Sequence, residues 1–210
     1  MTIKFFCPEV ERSFHTNLPI AQKEFVVMSY PVLSETTAPE AARATLTAAR
    51  RAYGFVPNLF GVMAQAPALV KAYVALNELF AETSLSPTER QVVLLATSAT
   101  NKCAYCMAAH TAIAGMQRVP APVIDALRAG TPIADPQLEA LRQFTAAVVE
   151  TRGWPTATQT ALFTQAGYTA AQALEVVLGV GLKTISNYTN HFAETPLDDA
   201  FAPAAWTPTV

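Results

Sequence analysis

Two cysteines and a histidine lie close together near the middle of the chain. Cys103, Cys106 and His110 follow the spacing C-x2-C-x3-H. Positions i, i+3 and i+7 share one face of an α-helix, so a helix here brings two thiols and an imidazole together. A thiolate can attack an electrophile, a second thiol can form a disulfide with it, and an imidazole can move the proton. The spacing is therefore typical of a dithiol redox centre.

The residues just before the first cysteine predict that both thiols lie at the start of a helix. Asn101 is a suitable N-cap, which would place Cys103 and Cys106 in the first turn. Unpaired backbone N–H groups and the helix dipole stabilise negative charge at that end of a helix. We therefore expect a thiol pKa below the usual value.

Another helix is predicted immediately upstream of the thiols. Ser86 can act as the N-cap, Pro87 suits the first helical position, and Glu89 completes a capping box. The apolar run 92–96 follows and is expected to enter the core. This helix would hold the cysteine-bearing helix in place.

Two other interpretations of the cysteines remain open. Thiolates and imidazole also bind zinc, but Cys103, Cys106 and His110 give three ligands, and the fourth would have to come from a distant residue such as His191. A structural zinc site usually uses two separated ligand pairs, which this sequence lacks, so no metal is expected. Alternatively, the cysteines are small core residues, since free cysteine is often buried.

Three segments of the sequence resemble the carboxymuconolactone decarboxylase family. They are GFVPNLFGVMAQAP at 54–67, the capped helix start at 86–91 and the N-x-C-x-Y-C-x3-H core at 101–110. The resemblance is greatest to the AhpD-like alkylhydroperoxidase and peroxidase-related branch and covers roughly residues 40 to 200. The decarboxylases lack the cysteine pair. The resemblance implies an all-α, AhpD-like multi-helix bundle with an internal helical repeat.

The resemblance also implies roles for individual residues. Cys106 would be the peroxidatic cysteine, Cys103 the resolving one, and His110 the base, acting directly or through a water. The family's relay uses a glutamate twelve positions before the first cysteine, where this chain has Gln91. Glutamine cannot accept a proton, so it can orient the histidine but cannot hold a charge against it. Glu89 is an alternative relay residue, although it points to a different side of the helix.

The segment NYTNH at 187–191 is a second candidate for the site. Asn187 and His191 are four residues apart and would face together on a helix. Peroxidase-related members of the family carry a similar N-Y-x-N segment, so by resemblance this one lines the cavity beside the thiols. The aromatic Tyr105 is interpreted as core or pocket lining. Alternatively, the polar residues satisfy hydrogen bonds near a helix end or a subunit contact.

An offset of 84 residues suggests the internal repeat. It aligns Glu175 with Gln91, Asn187 with Cys103 and Asn190 with Cys106. A chance similarity between two helices rich in alanine and valine remains an alternative.

The composition and the positions of the prolines limit the possible architecture. Hydrophobic residues make up 51% and charged residues 14% of the 210 residues, which suits a helical protein with apolar surface left to bury in a homo-oligomer. Prolines at 8, 19 and 31 predict an extended N-terminal arm over residues 1–36, in which Cys7 is interpreted as a bystander thiol. The AhpD-like helical domain follows over 37–200, and residues 201–210 form a C-terminal tail.

Charge and hydropathy exclude several classes of partner. A formal net charge of −2 without a basic patch argues against nucleic acid and anionic membranes. No apolar run approaches the length of a membrane span, and the start of the chain does not read as a signal peptide. Three cysteines do not make a disulfide framework, so the protein is expected to be cytoplasmic.

Together these features predict a thiol-dependent alkyl hydroperoxide reductase. It would use an organic hydroperoxide as substrate and an external dithiol as reductant, with no haem, flavin or other cofactor. Two alternatives stay open. One is a non-catalytic redox-sensing or structural oligomer, and the other is a decarboxylase-like enzyme of the same fold.

Overall fold

The computed structural model describes residues 28–208. Residues 28–34 have no regular secondary structure, and a turn at 35–38 leads into the first helix. Most of the predicted N-terminal arm, including Cys7, lies outside the described residues.

Helices account for all of the regular structure between residues 28 and 208, which confirms the all-α prediction. Their bounds are α1 (Glu40–Tyr53), α2 (Asn58–Met63), α3 (Pro67–Ala81), α4 (Pro87–Thr100), α5 (Ala104–Met116), α6 (Ala121–Ala129), α7 (Pro136–Glu150), α8 (Ala157–Gln165) and α9 (Ala170–Ala193), followed by a short 3₁₀ helix, η1 (Asp199–Ala204). Within this part of the chain, no helix combines the length and apolar character needed to cross a bilayer.

Local capping residues explain where several helices begin. The Ser86 hydroxyl accepts from the backbone N–H of Glu89, and the Glu89 carboxylate accepts from the N–H of Ser86 at 2.7 Å, which confirms the predicted capping box. Asp135 caps α7 by accepting two backbone N–H groups of its first turn. Thr169 caps α9 in a second capping box.

Helix α4 lies at the centre of the fold and packs against α5, α7 and α9. Every residue from Gln91 to Ser98 is buried, so this stretch is covered on all sides, including its polar positions. The apolar run therefore enters the core as predicted. Burial of this stretch also carries the Gln91 side chain into the interior.

A glycine permits α9 to pack closely against its neighbours. A Cβ atom at Gly179 would lie 2.7 Å from ring carbons of Phe80 and from Cγ1 of Val93. Real Cβ contacts are longer, so the close approach of α9 requires glycine here. This contact fixes the position of α9 against α3 and α4.

The C-terminal segment packs against the body of the protein. Phe201 in η1 is buried, and the indole N–H of Trp206 donates to the carbonyl of Arg128 at 2.8 Å. The Arg128 guanidinium in turn donates to the carbonyls of Ala204 and Ala205, each at 3.0 Å. As far as residue 208, the predicted tail is therefore a packed segment, and its 3₁₀ helix contacts α5.

Candidate functional site

The thiols follow a sharp break between α4 and α5. Lys102 has a left-handed φ of 55°, its N–H donates to the carbonyl of Ala99, and the next N–H, of Cys103, donates to the carbonyl of Ser98. This bonding pattern is a Schellman motif that ends α4. Asn101 is therefore the C-cap of α4 and not the N-cap of α5, so that prediction is wrong. The reason is the left-handed turn at Lys102, which moves the start of α5 past Asn101.

Cys103 itself occupies the N-cap position of α5, and Cys106 is the third residue of the helix. Both are unbonded cysteines, each with 1% of its surface exposed. At the third position the backbone N–H groups of the first turn have no partner within the helix, which favours negative charge on a nearby sulfur. The two thiols therefore lie at the helix start, as predicted.

A polar stripe on α9 faces the thiols. It consists of Lys183, Ser186, Asn187 and Asn190, at positions i, i+3, i+4 and i+7, and each of these residues is buried. This spacing normally carries the apolar residues that pack into a core. We refer to these four residues as the polar stripe. Buried polar groups at such positions require partners, and the thiols are among them.

Two residues of the polar stripe contact Cys106 directly. The Asn190 amide Nδ2 donates to Sγ of Cys106 at 3.2 Å and lies 4.0 Å from Sγ of Cys103. Oγ of Ser186 lies 3.7 Å from Sγ of Cys106. Cys106 therefore has better polar contacts than Cys103, and these contacts suit a sulfur that carries negative charge.

The other predicted residues on this helix lie elsewhere. Oδ1 of Asn187 accepts from Asn101 at 3.0 Å, and its Nδ2 donates to Oγ of Ser98 at 3.5 Å, so Asn187 holds the break between α4 and α5. His191 is exposed and lies beside the ring of Tyr188. The structure does not bring Asn187 and His191 to one pocket, because the boundary between the buried and exposed faces of α9 passes between them.

His110 is buried beside Gln91. Nδ1 of His110 lies 3.1 Å from Oε1 of Gln91, whose Nε2 donates to Oε1 of Gln117 at 3.1 Å. With this amide orientation Nδ1 carries the proton, which leaves Nε2 as an acceptor. Burial, and in addition the positive charge of Lys183, hold the pKa of His110 well below its usual value, so the ring is neutral at physiological pH. Gln91 therefore has the orienting contact that its position predicted.

Glu89 does not reach the thiols or the histidine. Its carboxylate accepts from the backbone N–H of Ser86 in the capping box, and Glu89 is not among the residues that line the cavity beside Cys106. Its proposed role as a relay residue has no geometric support, because the capping box directs its side chain to the start of α4.

A cavity of about 180 Å³ opens beside Cys106. Its wall contains Cys106 but not Cys103, and it includes several polar side chains. Apart from Cys106, the polar groups belong to Asn77, Gln91, His110, Gln117 and Lys183. The remaining wall is mostly aromatic or aliphatic, from Tyr53, Pro57, Leu59, Phe60, Tyr73, Leu94, Tyr105, Ala109, Ile113 and Phe201.

Tyr105 is fixed in this wall through its hydroxyl. The hydroxyl donates to Oδ2 of Asp198 at 2.5 Å and accepts from the backbone N–H of Leu59 at 3.3 Å. Asp198 also accepts from the N–H of Asn58 at the start of α2. Burial and the hydrogen bond to Asp198 raise the pKa of Tyr105, so it is a neutral phenol at physiological pH. The aromatic ring is thereby held as cavity lining.

Lys183 is a residue of the cavity that no sequence motif identified. It is 1% exposed, and its Nζ has no hydrogen-bond partner among residues 28–208. In the same range no aspartate or glutamate lines the cavity, and Lys183 is the one lysine or arginine of its wall. The sequence did contain a signal for Lys183, because polar residues recur every three to four positions along α9, which is otherwise largely apolar.

The two thiols differ in their tendency to ionise. Burial opposes ionisation of Cys106, but hydrogen bonding from Cys103, the charge of Lys183 and the Ser186 hydroxyl together hold the pKa of Cys106 well below its usual value. The hydrogen bond to Cys106, together with burial, raises the pKa of Cys103. The favoured state is therefore a Cys106 thiolate that accepts a hydrogen bond from a Cys103 thiol.

Within the described residues, no three or more histidine, cysteine, aspartate or glutamate side chains are grouped so that they could hold a metal ion. His191, the distant fourth ligand considered from sequence, is on the exposed face of α9.

Part of the chain is similar to a known protein family. Residues 67–147 match the carboxymuconolactone decarboxylase family, a range that includes both thiols of the C-x2-C pair and His110. No curated protein matches the chain in sequence.

Solved structures with peroxidase-related names share the fold. One is an uncharacterized peroxidase-related protein from Ralstonia eutropha JMP134, described as an alkylhydroperoxidase AhpD core, with a TM-score of 0.73, 25% identity, and coverage of 82% of this chain and 93% of its own. Another is an uncharacterized peroxidase-related protein from Silicibacter sp. TM1040, with a TM-score of 0.71, 17% identity, and coverage of 83% and 92%.

A debrominase also has this fold. The debrominase Bmp8, in complex with 2,3,4-tribromopyrrole, has a TM-score of 0.72, 16% identity, and coverage of 85% of this chain and 96% of its own. At this level of identity the likeness concerns the fold alone. The resemblance found in the sequence is supported over residues 67–147, which match the carboxymuconolactone decarboxylase family, and the chain has the AhpD-like fold.

Proposed function

We propose that this protein is a thiol-dependent peroxidase for compact organic hydroperoxides, with Cys106 as the attacking thiol and Cys103 as the resolving thiol. The observation that carries the proposal is the difference between the two sulfurs. Cys106 lines the cavity and accepts a hydrogen bond from Asn190 at 3.2 Å, whereas Cys103 does not line the cavity. A substrate in the cavity therefore meets the sulfur that is more easily ionised.

The proposed reaction has two steps in the protein. The Cys106 thiolate donates an electron pair to the terminal oxygen of a hydroperoxide, the O–O bond breaks, and the alkoxide leaves as an alcohol after gaining a proton. The resulting sulfenic acid condenses with the Cys103 thiol to give a disulfide and water. An external dithiol then reduces the disulfide and is itself oxidised. The use of an external dithiol as reductant stays a prediction.

The size of the cavity favours a compact substrate. An apolar cavity of roughly 150 Å³ can hold a benzene molecule. The cavity beside Cys106, of about 180 Å³, has mostly apolar walls with several polar side chains. An aryl or branched-alkyl hydroperoxide fits this cavity, with its peroxide group next to Cys106.

The test is a chemical titration of the reduced protein with cumene hydroperoxide, followed by intact-mass measurement and peptide mapping. We expect a Cys103–Cys106 disulfide in the native protein, an overoxidised Cys106 in Cys103→Ser, and no reaction in Cys106→Ser. Thiols that stay unmodified at every dose would contradict the proposal. A disulfide that forms once but does not turn over with excess dithiothreitol would favour the redox-sensing alternative.

Reductive dehalogenation is a second candidate function. The debrominase Bmp8 has the same fold, and the aromatic walls and volume of the cavity here suit a small halogenated ring as well as an aryl hydroperoxide. Removing bromine as bromide requires two electrons, which a dithiol supplies as it becomes a disulfide. The probe is 2,3,4-tribromopyrrole with dithiothreitol. Release of bromide that depends on Cys106 would support this activity, and its absence with peroxide turnover present would exclude it.

Assembly with further copies of the chain and a cytoplasmic location stay predictions. Four large apolar residues on α9, Leu174, Val177, Tyr188 and Phe192, are exposed in the single chain. A second copy would cover such a face. Size-exclusion chromatography with light scattering, comparing the native protein with Phe192→Glu, measures whether this face joins subunits.

A further inference from the structure

We propose that Lys183 keeps Cys106 ionised and supplies the proton that the leaving group requires, so that it replaces the histidine–glutamate relay that Gln91 interrupts. The first half of this proposal concerns the resting protein and is independent of the substrate. The second half rests on the proposed peroxidase function.

The argument begins with the charge of a buried amine. Lys183 is 1% exposed and lines the cavity, and its Nζ has no hydrogen-bond partner among the described residues. A buried ammonium group is costly unless an anion accompanies it. Between residues 28 and 208, no aspartate or glutamate lines the cavity to serve as that anion. Cys106 is an acidic group in the same wall, and its thiolate would make a neutral pair with Lys183.

The other titratable groups around the pair do not supply a charge. From α1 and α3, Tyr53 and Tyr73 face the cavity, and from α5 Tyr105 does so; burial raises the pKa of all three phenols, so they are neutral. The hydrogen bond to Cys106 and burial raise the pKa of Cys103. Helix α4 contributes the uncharged amide of Gln91. None of these groups therefore offsets the charge of Lys183, which leaves the Cys106 thiolate to do so.

His110 is poorly placed to carry the charge. Its Nδ1 contacts Gln91, which can orient the ring but cannot accept a proton. Burial and the nearby charge of Lys183 both disfavour the imidazolium form. No hydrogen bond within the described residues joins His110 to either thiol. The neutral imidazole can still accept a hydrogen bond from a substrate through Nε2.

Lys183 can complete the proton balance of the first step. In the reduced protein, the Cys106 thiol transfers its proton to the Lys183 amine, which gives a thiolate and an ammonium group. The thiolate attacks the terminal oxygen of the hydroperoxide, the O–O bond breaks, and the alkoxide takes the proton from the ammonium group. The products are a Cys106 sulfenic acid, an alcohol and a neutral Lys183. Reduction by the external dithiol restores the Cys106 thiol, whose proton recharges Lys183.

The first experiment measures ionisation of Cys106 without any peroxide. The pH dependence of its alkylation by iodoacetamide, followed by peptide mapping, gives the ionisation midpoint in native protein, Lys183→Met, Lys183→Arg and His110→Gln. We expect the midpoint to rise by about one pH unit or more in Lys183→Met, which is a tenfold loss of thiolate, and to stay low in Lys183→Arg. His110→Gln should leave the midpoint nearly unchanged.

Control measurements keep this experiment decisive. Thermal unfolding shows whether each variant is folded, and Lys183→Gln replaces Lys183→Met as the uncharged variant if the latter fails to fold. An unchanged midpoint in a folded uncharged variant overturns the proposal, as does a larger shift in His110→Gln than in Lys183→Met. Since no peroxide is present, this result does not depend on whether the protein is a peroxidase.

The second experiment tests the proton supplied to the leaving group. Cumene hydroperoxide releases a basic alkoxide, whereas peracetic acid releases a carboxylate that needs no proton. At a pH where Cys106 is ionised in both proteins, Lys183→Met should slow reduction of cumene hydroperoxide roughly tenfold more than reduction of peracetic acid. Equal slowing of both substrates would overturn the proton-donor role. Absence of turnover with both substrates in the native protein would instead contradict the proposed peroxidase function.

Discussion

The segment that carries the thiols and the segment that faces them align at an offset of 84 residues but fold differently. The first is interrupted, because α4 ends at Thr100 and α5 begins at Ala104. The second, α9, runs without interruption from Ala170 to Ala193, through the corresponding positions. Lys102 in the break is left-handed, whereas Ser186 at the matching position of α9 is helical.

This difference separates two requirements of the site. The break creates a new helix start, where unpaired N–H groups favour a thiolate at Cys106. The continuous helix holds Ser186 and Asn190 against the sulfur and places Lys183 in the wall of the same cavity. Equivalent positions also meet, since Asn190 donates to Cys106 at 3.2 Å. Such a contact is what a two-fold relation between the segments would produce, although the internal repeat itself stays a prediction.

The largest expected effect comes from separating α9 from α4. Gly179→Ala would place a Cβ atom 2.7 Å from Phe80 and Val93, both buried, so the helices must move apart. We expect the free energy of unfolding to fall by about 3 kcal/mol, the upper part of the usual range for overpacking. Urea denaturation followed by circular dichroism measures the change.

Gly181→Ala is the matched control on the same helix. A Cβ atom at Gly181 has no heavy atom within 4 Å, so this substitution should stabilise the helix by about 1 kcal/mol. Equal effects of the two substitutions would contradict the close packing of α9 on α4. A loss of stability at Gly181 alone would point to a contact on its exposed side, such as another subunit.

The next effect concerns the donor that α9 offers to the thiolate. Asn190→Leu keeps a similar volume but removes the amide that donates to Cys106. A hydrogen bond to a charged group contributes about 2 kcal/mol, which corresponds to a rise of about 1.5 units in the ionisation midpoint of Cys106. Thr189→Val, next to it, removes a hydroxyl that donates to the carbonyl of Ile185 and should leave the midpoint unchanged. An unchanged midpoint in Asn190→Leu would mean that the amide does not stabilise the thiolate.

We expect substitutions of the two histidines of these segments to change the pH dependence of the free energy of unfolding differently. The pKa of His110 is well below its usual value in the folded protein, so the unfolded chain binds the proton more readily. Below about pH 6.5 this histidine should lower the free energy of unfolding by roughly 1.4 kcal/mol per pH unit, until the folded pKa is reached. His110→Gln should remove that part of the loss.

His191→Gln is the control for this prediction, because His191 is exposed on α9. Its acid sensitivity should equal that of the native protein. The measurement is urea denaturation at a series of pH values between neutral and mildly acidic. If both substitutions change the slope of stability against pH equally, burial of His110 is not the cause.

The sequence was informative where structure depends on nearby residues. Ser86 caps its helix as predicted, since a cap needs only the residues of the first turn. Asn101 was misassigned because the break depends on a left-handed conformation at Lys102, and lysine gives no sign of it. Only the family resemblance indicated that Gln91 and His110 would meet.

The polar stripe shows why the rest of the site was harder to predict. Residues such as Tyr188 and Phe192 suggest that the apolar side of α9 is its core side, but both are exposed. The core side instead carries Lys183 and Asn190, which are buried against α5. The orientation of α9 is set by distant contacts, including that of Gly179 with α3 and α4, and a single sequence does not reveal them.

The smallest expected effect tests the break itself. Lys102 has a φ of 55°, a conformation that costs an L-residue more than glycine, so Lys102→Gly should stabilise the protein by about 1 kcal/mol or less. Lys102→Ala removes the same side chain without relieving the backbone and should give no gain. Thermal unfolding of both variants separates the backbone contribution from that of the side chain. Stabilisation by Lys102→Ala as well would show that the side chain, and not the left-handed turn, opposes the break that sets the thiols at the start of α5.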